Sequence, residues 1–258
     1  MKNTYSKKQN IKQNSILGIT VTPESKTSIL EKIILYINKP TGFFHIVSLN
    51  PENLVVTTEN ESFKKVVKTA QMKIVDGIGI VLAGRWLGIE IGERMAGVEL
   101  VKDLIKMASD RRLRVLMIGG KDNLAEQLVE CYSKKFPEAK FLGTIGIKDI
   151  KNPSVKEERK IFSIVAAYKP RLVFVAFGSP HQELWLDGHK KELTGCVVIG
   201  VGGAFDYLSS NVKRPSVFIQ KLGLEWLYRL IIQPWRWRRQ LRLLKFIWLI
   251  IKQKLKKE

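Results

Sequence analysis

Five short stretches hold the residue types that could do chemistry, and each stands where an apolar run gives way to an amphipathic one. They are Ser48-Leu49-Asn50-Pro51-Glu52, Val75-Asp76-Gly77-Ile78-Gly79, Ile118-Gly119-Gly120, Ala176-Phe177-Gly178-Ser179-Pro180-His181-Gln182-Glu183 and Gly200-Val201-Gly202-Gly203-Ala204-Phe205-Asp206. Glycine at such a junction lets the backbone approach a ligand closely, and free N–H groups at the start of the following helix favour phosphate oxygens. A single junction of this kind says little, since any turn between strand and helix favours Gly and Pro. Five that also carry Asp, Asn, Gln, Glu and Ser point to a polar ligand with several hydroxyls and phosphate, a description that a nucleotide sugar fits. Ser48, Asn50, Gly119, Gly120, Gln182, Glu183, Gly202, Gly203 and Asp206 are the candidate binding residues. Asp76 is the candidate proton acceptor, although Asp-Gly ahead of an apolar helix also serves as a cap, as does Asn50 before Pro51.

Several chemistries are disfavoured. Gly77-Ile78-Gly79 and Gly200-Val201-Gly202-Gly203 lack the third, correctly spaced glycine of a dinucleotide fingerprint, and there is no P-loop. No Asp-x-Asp occurs, and His45, His181 and His189 show no ligand spacing, so neither a metal nor a cofactor is expected. A departing diphosphate would then be met by Arg, Lys and backbone N–H groups, with Arg94, Arg214 and Arg229 as candidates.

The elements that must position these residues follow a βαβ rhythm. Strands are expected at 16–22, 43–49, 72–75, 114–118, 140–144, 172–177 and 197–201, and helices at 26–38, 51–59, 79–87, 97–109, 124–136, 155–168 and 181–188. That alternation predicts an α/β fold, a Rossmann-like, mostly parallel sheet flanked by helices. In such a sheet ligands bind beyond the carboxyl ends of the strands, where all five stretches would lie. With 258 residues, 45% of them hydrophobic, the chain can bury one substantial core. The expected layout is a disordered basic N-terminus over 1–15, an α/β domain over 16–223 and a basic helical appendage over 224–258. No apolar signal core follows Met1, and two isolated cysteines, Cys131 and Cys196, suit reduced thiols in a cytoplasmic protein.

The appendage is the strongest compositional signal. Trp226 to Glu258 holds ten Lys/Arg against one acid, +9 of the formal +20, together with four of the six tryptophans. Read as a helix beyond Pro234, it places Trp237, Leu241, Leu244, Trp248, Ile251 and Leu255 on one stripe. Trp beside Arg and Lys is the mixture expected at a lipid headgroup boundary. The longest apolar run, Phe246 to Ile251, is far short of the roughly 20 residues that span a bilayer. The segment therefore reads as lying on an anionic membrane, at the inner face given the absence of a secretory signal. A core helix or the seam of a homo-oligomer is the plainer alternative. Nucleic acid is not expected as a partner, because no recognition motif accompanies the charge.

Several of these motifs resemble those of the WecG/TagA/CpsF family of bacterial glycosyltransferases, over nearly the whole stretch from Ile16 to about Gln240. Val75 to Gly79 and Gly92-Glu93-Arg94-Met95-Ala96-Gly97 are similar to the family's Asp-Gly and Glu-Arg signatures. Gly178 to Glu183 resembles its Gly-x-Pro-x-Gln-Glu, and Gly200 to Asp206 with Gly223-Leu224-Glu225-Trp226-Leu227-Tyr228-Arg229-Leu230 is the nearest match. The resemblance implies inverting, metal-independent transfer from a UDP-sugar donor to an undecaprenyl-diphosphate-linked acceptor. Its TagA-type branch implies N-acetylmannosamine moved from UDP-ManNAc to lipid-linked GlcNAc, in the linkage unit of wall teichoic acid. Glucose or ManNAc uronate for a capsule or surface polysaccharide is the alternative within the family, and a non-catalytic membrane-binding module the alternative outside it.

The resemblance also implies roles. Asp76 matches the family's proposed base, and Gln182 is expected to contact sugar. Arg94 would hold the donor diphosphate or orient Asp76, unless it pairs with Glu90 or Glu93 on the surface. Arg229 would bring a cation from the appendage to the leaving diphosphate. Arg214, Arg236 and Arg239 are expected at the diphosphate or the membrane. Departures stand at Ser48 for the usual Thr, His181 for Lys or Arg, Ser209-Ser210 for Ala-Gly, Arg214-Pro215-Ser216 for Arg-Ala-Pro and Gln233 for Glu.

Overall fold

The computed structural model describes residues 14–121, 123–209, 212–221, 223–234 and 237–256. The expected N-terminal segment falls mostly outside them, as does Arg236; of Arg239 only the backbone is described. In chain order the elements are β1 (Ser15–Ile16), β2 (Ile19–Thr20), α1 (Lys26–Asn38), β3 (Phe44–Leu49), α2 (Pro51–Glu59), α3 (Glu61–Thr69) and β4 (Met72–Val75). Then come α4 (Ile78–Leu87), α5 (Gly97–Asp110), β5 (Arg114–Gly119), α6 (Leu124–Lys135), β6 (Lys140–Thr144), α7 (Val155–Tyr168) and β7 (Leu172–Ala176). The last are α8 (His181–Gly188), β8 (Val197–Gly200), α9 (Ala204–Leu208), α10 (Val217–Lys221), α11 (Glu225–Ile232) and α12 (Trp237–Leu255).

Six strands form one sheet in the order β4-β3-β8-β7-β5-β6, every pairing parallel. Both faces are covered, so successive strand residues enter different cores. Ile46, Ile74, Met117, Phe174 and Ile199 pack against α1, α5, α6 and α9. Val47 and Val75 pack against α2, α3 and α4, while Leu116, Val173 and Val198 pack against α7 and α8. Side-chain caps start the helices: Ser25 accepts from the Ser28 N–H ahead of α1, and Ser154 with Glu157 closes a capping box ahead of α7.

Two expectations are corrected. The strand expected over 16–22 is a small hairpin outside the main sheet, Ser15–Ile16 pairing antiparallel with Ile19–Thr20. Leu17 and Gly18 both have positive φ, the backbone of a tight hairpin turn, so the chain reverses where an extended strand was expected. Helix α3 was not anticipated. Its polar sequence hides a short apolar face of Phe63, Val66 and Val67, and Asn60 ends α2 while its side chain caps α3.

The C-terminal helix α12 lies on α2 and α4. Phe246 and Ile250, each 3% exposed, join the core cluster of those helices. Burial of two such side chains contributes about 1.5–3 kcal/mol each. Arg242 pairs with Glu52 at 3.1 Å and Lys245 with Glu59 at 2.6 Å, both acids on α2. At the far end the Gln253 amide accepts from Leu17 N–H and donates to the Ser15 carbonyl, tying the hairpin to α12. The stripe foreseen from the sequence, Trp237 to Leu255, is on the other side and exposed along its whole length. The helix thus has two apolar faces, one docked and one exposed. Among the described residues no helix is long and apolar enough to cross a membrane.

Candidate active site

The carboxyl ends of β3, β4, β5, β7 and β8 all open on one edge of the sheet, and there they line a cleft of about 940 Å³. Ser48, Asn50, Asp76, Gly119, Gly120, Gln182, Glu183, Gly202, Gly203, Asp206 and Arg229 all border it. The structure therefore brings together every binding residue expected from the sequence, with two of the three expected to act in catalysis. Lys121 and Lys148 also stand on this cleft and were not foreseen. Lys121 directly follows the Gly119-Gly120 pair, a signal available in the sequence; Lys148 comes from the β6–α7 connection, where no motif marks it.

Asp76 follows β4 directly. It does not cap α4, whose N-cap is Gly77 with no side-chain bond. Its Oδ1 instead accepts the N–H of Gly97, the first residue of α5, at 3.1 Å. Burial in the cleft pushes the carboxyl up to about 6; the Gly97 N–H opposes that, Glu225 adds to it, and Arg94 and Arg214 oppose it. A carboxylate near that value is ionised at neutral pH yet basic enough to take a proton.

Asn50 does cap α2, its Oδ1 accepting from Asn53 N–H at 2.8 Å. Among the described residues its amide nitrogen has no partner, which leaves that donor facing the ligand space. Gln182 is 4% exposed: its Oε1 accepts from Gly178 N–H and Gly202 N–H, and its Nε2 donates to Glu183 Oε1. One amide thus pins the loops after β7 and β8 to each other. Burial raises the Glu183 pKa, opposed by hydrogen bonds with Gln182 and Ser179, and among the described residues its Oε2 has no partner.

Arg229 links the appendage to the cleft. From α11 its guanidinium donates to the Gly203 carbonyl at 3.1 Å and to Asp206 Oδ2 at 3.2 Å, and it stacks on the Tyr207 ring at 4.7 Å. A side chain at Gly203 would collide with that guanidinium, so this glycine leaves the space the arginine occupies.

Arg94 lies elsewhere. It lines a second cavity of about 700 Å³, between α4 and the pair α11 and α12, where it donates to the Gln220 carbonyl at 3.5 Å. Among the described residues it makes no ion pair with Glu90 or Glu93. Asn50, Glu52, Asp76, Glu225 and Arg229 border both cavities and form the ridge between them. Arg214 borders neither; it is held between Glu99 at 3.1 Å and Glu225 at 3.7 Å, joining α5 to α11.

Comparison with known proteins gives this geometry a context. Residues 14–258 match the profile of the glycosyl transferase WecG/TagA/CpsF family. A Bacillus spizizenii protein named N-acetylglucosaminyldiphosphoundecaprenol N-acetyl-beta-D-mannosaminyltransferase is 32% identical over 217 residues, 84% of this chain and 82% of that protein. A protein of the same name from Bacillus subtilis is 31% identical over 86% of this chain and 84% of its own length. One from Staphylococcus aureus is 28% identical over 92% and 90%.

Proposed function

This chain belongs to the WecG/TagA/CpsF family of glycosyl transferases, and from its site we propose that it transfers N-acetylmannosamine from UDP-ManNAc to GlcNAc on undecaprenyl diphosphate. The names of its relatives supply the sugar and the acceptor. The observation that carries the reading is the position of Asp76, a carboxylate raised to about 6 on the ridge between a polar cleft and an apolar groove.

The donor occupies the polar cleft, whose 940 Å³ suits a nucleotide sugar. Asp76 takes the proton of the acceptor GlcNAc hydroxyl as that oxygen attacks the anomeric carbon. The new glycosidic C–O bond forms while the bond from the anomeric carbon to the UDP oxygen breaks, with inversion, and UDP carries away the electron pair. Arg229 meets the charge that develops on the leaving diphosphate, and Lys121 adds a cation at the cleft margin. Gln182 acts by holding the Gly178 and Gly202 loops in place, and the Asn50 amide donates to a ligand hydroxyl. The product fits the linkage unit of wall teichoic acid.

We also propose that α12 rests on an anionic membrane surface, the inner leaflet, as a peripheral appendage to the α/β domain. Trp237, Leu241, Leu244 and Trp248 are each more than half exposed, and Lys252 Nζ sits 5.0 Å from the Trp248 ring centroid. Apolar side chains interleaved with cations suit the headgroup boundary.

The test is transfer to a short-chain GlcNAc-diphospho-lipid from a panel of UDP-sugars. Turnover with UDP-ManNAc well above UDP-GlcNAc, UDP-glucose and UDP-ManNAc uronate is expected. Preference for another donor would replace the proposed sugar, and no transfer from any donor would overturn the reaction.

A further inference from the structure

The second cavity has a character unlike the first. Its walls are Leu82 and Trp86 from α4 and Leu243, Phe246, Ile247 and Ile250 from α12. Leu82, Trp86 and Ile247 are 56%, 50% and 49% exposed, large apolar side chains facing water along one groove. From Leu243 to Ile250 this wall extends about 10 Å at the helical rise per residue. Asp76, the Arg94 guanidinium, Glu52 and Glu225 also border the groove, with Glu52 set at the N-terminal end of its α12 wall by the pair with Arg242.

A sugar joined through diphosphate to a prenyl chain has matching parts: polar head, anion, hydrocarbon. We propose that the groove seats the first prenyl units of the lipid-linked acceptor, with Arg94 meeting the acceptor diphosphate. This rests on the transferase reading above and divides the site, with the donor in the cleft and the acceptor in the groove. Three observations choose this occupant over any other. The groove is continuous with the ridge that carries Asp76. Among the described residues Arg94 is the cation on the groove that is held in no ion pair, since Arg229 is already paired with Asp206. Its α12 wall belongs to the helix whose opposite face is the exposed Trp and Leu stripe, so a chain leaving the bilayer beside α12 reaches the groove directly.

The test is calorimetric titration of the full-length protein with farnesyl diphosphate while UDP saturates the polar cleft. Wild type is expected to bind. Leu82→Glu and Ile247→Glu, both at exposed positions that tolerate a charge, are expected to weaken binding at least tenfold. Arg94→Gln is expected to weaken it comparably, and all three variants should bind UDP as wild type does. In turnover, wild type should prefer a farnesyl-diphospho-GlcNAc acceptor to its methyl counterpart in kcat/KM, and Leu82→Glu should bring that ratio close to one.

Equal farnesyl diphosphate affinity in wild type and both glutamate variants would overturn the proposal. So would a dimer that Leu82→Glu converts to monomer with the acceptor ratio unchanged, since a second copy would then be the occupant. Prenyl binding that depends on Leu82 without transfer from any UDP-sugar would sink the transferase reading while leaving the groove a prenyl diphosphate site. Transfer with no dependence on Leu82, Ile247 or chain length would do the reverse.

Discussion

On one side of Asp76 lies a cleft walled by backbone and small polar side chains from five strand ends; on the other lies a groove walled by Leu, Ile, Trp and Phe from two helices. The first is built by the sheet, whose parallel strands deliver their carboxyl ends to one edge, and its precision comes from bonds such as the Gln182 amide across two loops. The second is built by packing, and it exists only because α12 returns from the C-terminus to lie on α2 and α4. A rigid polar pocket suits a soluble nucleotide sugar. A groove assembled by a helix with an exposed apolar face suits a substrate that arrives from a membrane. The two meet at Asp76, the carboxylate proposed as the base.

This contrast can be broken at its bridge. Arg229 belongs by sequence to the appendage and by contact to the cleft, through Gly203 and Asp206. Arg229→Ala is expected to lower kcat by about 10²–10³, the usual loss when a donor to a developing anion is removed. Single-turnover kinetics would measure it, and a change confined to vesicle binding would place Arg229 with the membrane face instead.

A smaller effect comes with pH. Burial pushes the Asp76 carboxyl up to about 6, and as the proposed base it must be ionised to accept a proton. As pH falls through that value the base is protonated, so kcat/KM should drop about tenfold for each unit below it and level off above about 7. A profile flat from pH 5 to 8 would remove Asp76 as the titrating base.

The smallest effect separates the two faces of α12. Trp248→Glu on the exposed stripe should reduce binding to anionic vesicles by roughly tenfold, the low end of what one large apolar side chain contributes at the boundary. Co-sedimentation with vesicles measures this, and unchanged binding would assign the stripe to a protein neighbour.

Much of the cleft was legible in the sequence because each part of it is local. Asn50-Pro51, Asp76-Gly77, Gly119-Gly120 and Gly202-Gly203 announce a strand end and a helix start within a few residues, and the parallel sheet aligns them. What the local pattern could not give was partnership. Asp-Gly suggested a cap for the next helix, whereas Asp76 bonds the start of α5, 21 residues on. Gln182 is expected to contact sugar, and the fold adds that its amide also bonds two backbone N–H groups and Glu183. Arg94 is expected at the donor diphosphate or beside Asp76, and the tertiary fold sets it on the groove, where its charge lowers the Asp76 pKa. The groove itself was invisible, since its walls are about 160 residues apart in the chain. The stripe of α12 was read correctly, but a helix apolar on two faces shows only one at a time to a periodicity argument, and Phe246 and Ile250 belong to the other. Helix α3 and the Leu17-Gly18 hairpin escaped for the opposite reason: each is too short for periodicity to register.

The proposed chemistry occurs at Asp76, on the ridge between cleft and groove. Asp76→Asn tests it most directly, because the amide keeps the shape of the carboxylate while removing the base. Folding should not suffer, since a carboxyl whose pKa is raised in the folded protein opposes folding when ionised at neutral pH. The measurement is single-turnover transfer from UDP-ManNAc alongside UDP-ManNAc affinity for the same folded variant. The account predicts donor affinity close to wild type with transfer reduced by about 10²–10⁴. Transfer within a few-fold of wild type would contradict it.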